Sequence, residues 1–354
     1  PEVTLHMLPA PLSTETYSLK NAQNRRPALV LNLELDRDGA LEKTNFFLAG
    51  VRIAANLSYE ACEAVLAEEN SPLAEAASAY QSMLKAALVL EGKLKAQRLK
   101  NGAVIIERND PEIVLHGEGE GIKVEIIPAK DNTPAQNIVG ELMLLANSAA
   151  AGWAASKELP FIYRTQDVAV PQDYYGVWKT AQDIARVIKA LPQAALSTTP
   201  RPHVGVGSPA YATITAPLRR YCDLMNEAQI ISFLRTGKPV YDAEQLSRLV
   251  PQLFTRLEAV TQVQRFRPRY WKLLFLKQQG DKIWHEAVLT DETEASMFLS
   301  LPVTQIILRG KRSLFDAKAA VGQSWMVRVG KINPVSNDIQ ILEARRREEM
   351  EEAG

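Results

Sequence analysis

Cysteine is almost missing from this 354-residue chain: there are two, Cys62 and Cys222, with no C-x-x-C spacing. That excludes a disulfide framework and a thiolate metal site, and both cysteines read as reduced core residues of a cytoplasmic protein. Histidine numbers only 4, and no cluster of it offers zinc ligands. Net charge is absent too. Lys+Arg and Asp+Glu are 41 each, so no global field marks a polyanionic partner, and any nucleic-acid surface has to be a local patch. No signal-peptide pattern and no internal repeat is found. The most apolar run, LMLLANSAAAGWAA, contains asparagine and serine and reads as too short and too polar to span a bilayer. No obligate protein partner is evident. The Gly-rich GEGEG at 117–121 lacks the strand–loop–helix setting of a phosphate loop and reads as a β-turn. The opening PEVTLHMLPAPLS has no initiator methionine and looks like the middle of a loop, so we expect the protein to continue upstream of Pro1.

What is present is a hydrophobic fraction of 46%, ample for a packed core, on a length that suggests two or three domains. Leu29, Leu31, Leu33 and Leu35 alternate with period two, and Arg37-Asp38-Gly39 turns this strand into a partner ending near FFLAG. Ser58 is an N-cap signal, and a longer helix is expected from Pro72 to Lys100, closed by Asn101-Gly102. Thr133-Pro134-Ala135-Gln136 has capping-box spacing and opens a helix to about Ser156. Further helices are expected over 176–190 and 217–235, and a long one from Asp242 kinked at Pro251 and Pro268. From residue 281 the pattern becomes short strands separated by turn residues, which suggests a small β-barrel of the OB type.

The segment TAPLRRYCD, residues 215–223, carries the sharpest chemistry. Pro217 fixes its own φ and pushes Ala216 out of the α region, which predicts Ala216 as N-cap and Pro217 as the first helical residue. Arg219 and Arg220 then fall in the first turn, where cations oppose the helix dipole. Two arginines beside free backbone N–H groups make an anion site suited to phosphate. The competing reading is structural: Asp223 stands four residues from Arg219 and three from Arg220 and can pair with either.

The wider stretch HVGVGSPAYATITAPLRRYCDLMNEA, residues 203–228, resembles the signature of the ribonuclease II/ribonuclease R (RNB) family of exoribonucleases. The resemblance extends over most of the chain. It includes MLPAPLSTETYSL at 7–19, VRIAANLSYEACEAVL, RLKNGAV, the helix VGELMLLANSAAAGWA and the strand PFIYRTQ. It implies an α+β fold: an RNB catalytic domain, with a mixed β-sheet surrounded by helices and an RNA channel, over residues 1–278. An S1-like OB-fold RNA-binding domain over 279–345 and a charged tail at 346–354 would follow.

The implied activity is Mg²⁺-dependent, processive 3′-to-5′ hydrolysis of single-stranded RNA to nucleoside 5′-monophosphates. By resemblance Arg219 meets the scissile phosphate as the catalytic arginine. Arg220 and Tyr221 support it by backbone contacts and packing, and Tyr163 and Arg164 line the channel. Glu141 and Asn147 of the E-x-M-x-x-A-N helix and His203 are RNA-binding candidates, each with a structural alternative: hydrogen bonding to a nearby loop for Asn147, a strand-end ion pair for Arg164, a Gly-rich turn for His203.

Departures are equally informative. The family's metal-binding aspartates are expected upstream of Pro1, so this segment supplies no metal ligands, and by itself it is expected to be inert as a nuclease. Asp36 and Asp38, and Asp291, Glu292 and Glu294, read as turn residues rather than substitutes. Ala216 replaces a serine, Glu227 and Gln166 stand where the family often has histidine, and Val168-Ala169 replace an aromatic base clamp, for which Tyr174 or Tyr175 is an alternative. Arg265, Arg267 and Arg269, interleaved with Phe266, Tyr270 and Trp271, suit either single-stranded RNA or a solvated helix face. A degenerate RNB module that binds RNA or a protein without cutting is the alternative reading.

Overall fold

The computed structural model describes residues 5–21 and 24–347, with Glu120 described for its backbone alone. Most of the charged tail expected at 346–354 therefore lies outside the described residues. Contacts divide the chain into two compact units. The first comprises Pro1–Ile105, Asn132–Gly176 and Gln193–Phe254; the second comprises Ile106–Asp131, Val177–Pro192 and Thr255–Gly354. The division does not fall at a single point in the sequence.

Strands β1 (Arg26–Leu35) and β2 (Leu41–Val51) form the expected antiparallel hairpin, with Leu31 opposite Phe46. Its turn is held by Asp36, whose Oδ1 accepts from the Asp38 and Ala40 amides at 2.9 and 2.7 Å. Helix α1 (Tyr59–Leu66) starts where Ser58 caps the Ala61 amide. The single helix expected from Pro72 is interrupted. Helix α2 (Pro72–Ala77) and helix α3 (Gln81–Lys100) flank a 3₁₀ turn at Ser78–Tyr80. The Ser78 hydroxyl donates to the Glu75 carbonyl at 2.8 Å, a local bond of the kind that competes with helix continuation.

Short strands β3 (Val104–Ile106), β4 (Glu112–His116) and β5 (Lys123–Ile127) follow, the last two paired antiparallel. Helix α4 (Pro134–Ser156) opens on a complete capping box between Thr133 and Gln136. By length and composition α4 is long and apolar enough to cross a membrane, contrary to the impression given by its shorter central run. In the fold, its Ala150, Ala151 and Ala154 pack against Phe46, Phe161, Tyr163, Ala212 and Ile230, the main core of the first unit.

Strands β6 (Tyr163–Thr165), β7 (Gly176–Trp178) and β8 (Ala195–Ser197) are three residues each, and β6 pairs antiparallel with β8. Helix α5 (Ala181–Ala190) is capped by Thr180, because residues 176–178 are strand rather than helix. Helix α6 (Tyr221–Thr236) ends at Gly237 in the left-handed conformation. Helix α7 (Ala243–Gln279) is capped by reciprocal bonds between Asp242 and Gln245 and is unbroken through Pro251 and Pro268.

The second unit ends in five antiparallel strands: β9 (Trp284–Glu292), β10 (Ser296–Ser300), β11 (Ile307–Lys311), β12 (Ser324–Asn333) and β13 (Asp338–Arg346). Their order is β11-β10-β9-β12-β13. Alternation in β12 turns Trp325, Val327 and Val329 inward against Leu289, Met297, Leu299 and Leu308, with Leu273 and Leu276 of α7 in the same cluster. The end strands curl toward each other over Gly310, where a Cβ would lie 2.9 Å from Ile341 Cδ1. This near-barrel is the expected OB-type architecture, and the whole is α+β.

Candidate active site

The Thr215–Asp223 segment is arranged differently from the sequence expectation. Pro217 to Arg219 form a turn in which the Arg219 and Arg220 amides both donate to the Ala216 carbonyl, at 3.2 and 2.9 Å. Helix α6 begins only at Tyr221, and Arg220 before it is extended, with φ −128 and ψ 116. The arginines therefore precede the helix rather than forming its first turn. The cause is Asp223, which is fully buried at 0% exposure. Its Oδ2 accepts from the Ala216 amide at 2.8 Å and from Arg220 Nη2 at 2.7 Å. The same Nη2 donates to Thr215 Oγ1 at 2.9 Å. The anion that satisfies this corner is the chain's own carboxylate.

The two readings of the arginine pair are thus divided between its members. Arg220 is the structural one, held by Asp223. Arg219 is exposed, and its guanidinium makes no hydrogen bond or ion pair with any described residue. Tyr221, at the start of α6, is 47% exposed.

Behind the turn, Asn147 of α4 is 2% exposed and both ends of its amide are occupied. Nδ2 donates to the Tyr211 hydroxyl and Oδ1 accepts from the Ile214 amide, each at 2.9 Å. Asn147 therefore ties α4 to the loop leading into Thr215. Glu141, one-and-a-half turns earlier, is 7% exposed and ion-paired to Arg98 of α3. Arg98 also donates through Nε to the Val206 carbonyl at 2.8 Å. The second oxygen of Glu141 is buried without a partner. Desolvation raises the Glu141 carboxyl above its ordinary pKa against the opposing pull of Arg98.

Strand alternation separates the two residues of the Tyr163-Arg164 pair. Tyr163 is 2% exposed, edge-on to Phe161, with burial pushing its hydroxyl up to about 12. Arg164 points outward, is exposed, and has no described ion-pair partner, so the foreseen strand-end pair does not form. Its backbone amide donates to the Tyr211 carbonyl at 2.8 Å. Arg164 and Arg220 both lie near enough to Tyr211 and Cys222 to favour their ionised forms, although burial dominates and raises both.

His203 is buried and edge-on to Tyr211 at 5.4 Å, with Nδ1 unpartnered. Burial first, then Arg164, lowers its pKa to about 4, so the ring is neutral. The loop around it is built by close approach. Gln166 Oε1 accepts from the Gly205 amide at 2.9 Å. Gly207 has φ +72, and a Cβ there would lie 2.7 Å from the Arg98 carbonyl oxygen.

Glu227, one turn beyond Asp223, has its pKa raised to about 7 by burial and then by Asp223. Tyr175 packs its ring on Gly102 and remains 41% exposed. In the second unit, Arg269 bonds Asn337 and the Tyr270 and Trp271 rings meet edge-on at 4.9 Å. Phe266, Arg267, Tyr270 and Trp271 line a shallow groove on α7.

The described residues do not fit a Mg²⁺ centre. Among the described residues no group of three or more His, Cys, Asp or Glu could hold a metal. Asp36 is used in its turn, Asp291 pairs with Lys189 at 2.5 Å, and Glu292 pairs with Arg312. Sequence reasoning gave no role to Arg98 or Tyr211. Arg98 lies 43 and 108 residues from its partners, so no local spacing signals it, and its only sequence trace is its place in RLKNGAV.

Residues 1–236 match the family described as the RNB domain. An uncharacterized ribonuclease of Synechocystis is 25% identical over 354 residues, covering 97% of this chain and 50% of that protein. Among solved structures, an active-site mutant of the Dss1 exoribonuclease from Candida glabrata superposes with TM-score 0.80 at 20% identity, covering 95% of this chain and 45% of that one. RNase R of Mycoplasma genitalium in complex with ribose-methylated single-stranded RNA gives TM-score 0.72 at 17% identity, covering 95% and 60%. The chain spans half or less of the length of the curated relatives it matches.

Proposed function

The chain belongs to the RNB-domain family, and on that premise we propose that the protein is a 3′-to-5′ exoribonuclease that hydrolyses single-stranded RNA processively to nucleoside 5′-monophosphates. The observation that carries the reading is the asymmetry of the arginine pair. Arg220 is paired with Asp223, while the guanidinium of Arg219 stands exposed and unpaired on a hydrogen-bonded turn. A guanidinium held this way is complementary to two non-bridging oxygens of a phosphodiester. As water attacks phosphorus and the bond to the upstream 3′ oxygen breaks, negative charge grows on those oxygens, and Arg219 stabilises it. Arg164, exposed beside buried Tyr163, is a second contact for the RNA backbone. Arg220, His203, Glu141 and Asn147 shape the surface from behind, and Tyr221 supplies an exposed ring at its edge.

Mg²⁺ is the cofactor of this reading, and its ligands come from outside the described residues. The catalytic domain is 1–278, followed by an S1-like RNA-binding domain at 279–345, and the protein works in the cytoplasm.

The test is Arg219→Ala in the full-length protein, assayed on end-labelled single-stranded RNA with and without Mg²⁺. Loss of one charge-stabilising donor lowers turnover by about 10²–10³-fold, while RNA affinity falls much less. Near-normal hydrolysis by the variant removes Arg219 from the chemistry. Stoichiometric binding by the unaltered protein with no monophosphate released, metal present, identifies a binding module instead.

A further inference from the structure

The buried carboxylate of Asp223 has an arrangement that stability alone does not explain. It is 0% exposed, yet Oδ1 has no partner, and the Nε of Arg220 is likewise buried and unpartnered. An ion pair whose carboxylate is fully buried and left with unsatisfied atoms contributes little to folding, because desolvation offsets the attraction. What the pair does fix is geometry. A single oxygen, Oδ2, gathers the Ala216 amide and the Arg220 head group, and Arg220 Nη2 reaches on to Thr215 Oγ1. Those three anchors bracket Arg219 on both sides: Thr215 and Ala216 before it, Arg220 after it. The turn itself closes on the Ala216 carbonyl, which takes the Arg219 and Arg220 amides. The backbone that carries Arg219 is therefore pinned at each end by one carboxylate.

The same carboxylate sets the charge of the corner. With Asp223 paired to Arg220, Arg219 is the one guanidinium of the pair left for a ligand.

Resting on the exoribonuclease reading above, we infer that Asp223 is a positioning residue for Arg219: it holds the 215–220 turn in the productive geometry and keeps Arg220 from binding the phosphate in its place.

This makes an outcome that a merely structural residue does not give. In the full-length protein, Asp223→Asn retains an acceptor for the Ala216 amide but abolishes the charge that holds Arg220. The expected result is a fall in kcat of about tenfold or more, with Kd for single-stranded RNA unchanged or tighter, because a second guanidinium is released toward the backbone. The decisive measurement is a double-mutant cycle. In an Arg219→Ala background, Asp223→Asn adds no further loss of kcat, since the group it positions is gone.

The inference is overturned if the two losses multiply, if kcat and RNA binding weaken together in proportion to the folded fraction, or if Asp223→Asn turns over like the unaltered protein. Should Asp223→Asn not fold, Arg220→Lys enters the same cycle. A single ammonium cannot replace the fork that spans Thr215 and Asp223, so the same non-additivity is expected. Failure of the underlying reading looks different: Arg219→Ala alone then retains normal turnover, or the unaltered protein releases no monophosphate.

Discussion

Replacing Glu227 by glutamine should stabilise the first unit, and only above acidic pH. In the fold the Glu227 carboxyl has a pKa of about 7 against an ordinary 4.5, because it is desolvated and Asp223 lies one helical turn before it. It accepts no hydrogen bond from any described residue. Below pH 4.5 folded and unfolded chains are both protonated there, and the residue carries no penalty. Between 4.5 and 7 the unfolded chain releases its proton while the fold retains it, so stability declines as pH rises. Above 7 the decline levels off. Each pKa unit corresponds to about 1.4 kcal/mol, so the full penalty is at most about 3.5 kcal/mol. Glu227→Gln removes the charge without changing the shape. Hydrogen exchange of α6 amides, corrected for intrinsic rates, should show the variant protected more than the unaltered protein at pH 8 and equally at pH 4.5. A constant difference across that range, or none, would refute the claim that an ionised carboxylate at 227 opposes the fold. His203 works in the other direction. With its pKa lowered to about 4, its contribution is intact above 6.5 and fades as pH falls from 6.5 toward 4.

Other outcomes concern the scaffold of the site. Gly207→Ala places a Cβ 2.7 Å from the Arg98 carbonyl oxygen and 2.8 Å from the Ala103 Cβ, at a φ of +72. It should cost about 1–3 kcal/mol in chemical unfolding, and an unchanged midpoint would mean that the 203–208 loop yields freely. Asn147→Ala leaves the Tyr211 hydroxyl and the Ile214 amide without their partner. At about 1–3 kcal/mol for each buried group left unmade, it should lower the thermal midpoint and, by loosening the loop into Thr215, reduce turnover as well. A stable but slow Asn147→Asp, which keeps the acceptor for the Ile214 amide and replaces the donor to Tyr211 by a second acceptor, would instead place the effect on charge near Tyr211.

The parts of the fold that were readable from sequence are those decided locally. The capping boxes at Thr133 and Asp242, the hairpin turn at Asp36 and the inward alternation of Trp325, Val327 and Val329 depend on neighbours within a few residues. The start of α6 was not readable, although proline rules applied to Ala216-Pro217 are sound for an isolated chain. Here a fully buried side chain beyond the turn takes the Ala216 amide and draws Arg220 into an extended conformation, and tertiary burial overrides the local preference. The turn at 302–304 separates β10 from β11. Within the site, the motif located Arg219 and Arg220 together but could not say which of them is occupied. That depends on which guanidinium reaches Asp223 from three residues away rather than four. The Arg98–Glu141 pair was invisible for a different reason: its members belong to separate helices and meet only in three dimensions.

Arg98 has one more implication. Its Nε serves the Val206 carbonyl while Nη1 serves Glu141, so one side chain reaches two acceptors with nitrogens that point in different directions. Lysine, with its donors gathered at a single tip, cannot stand at both places at once. Any inventory of natural or engineered variants that scores arginine and lysine as equivalent at this position would count as conservative a change that unhooks a loop from two helices.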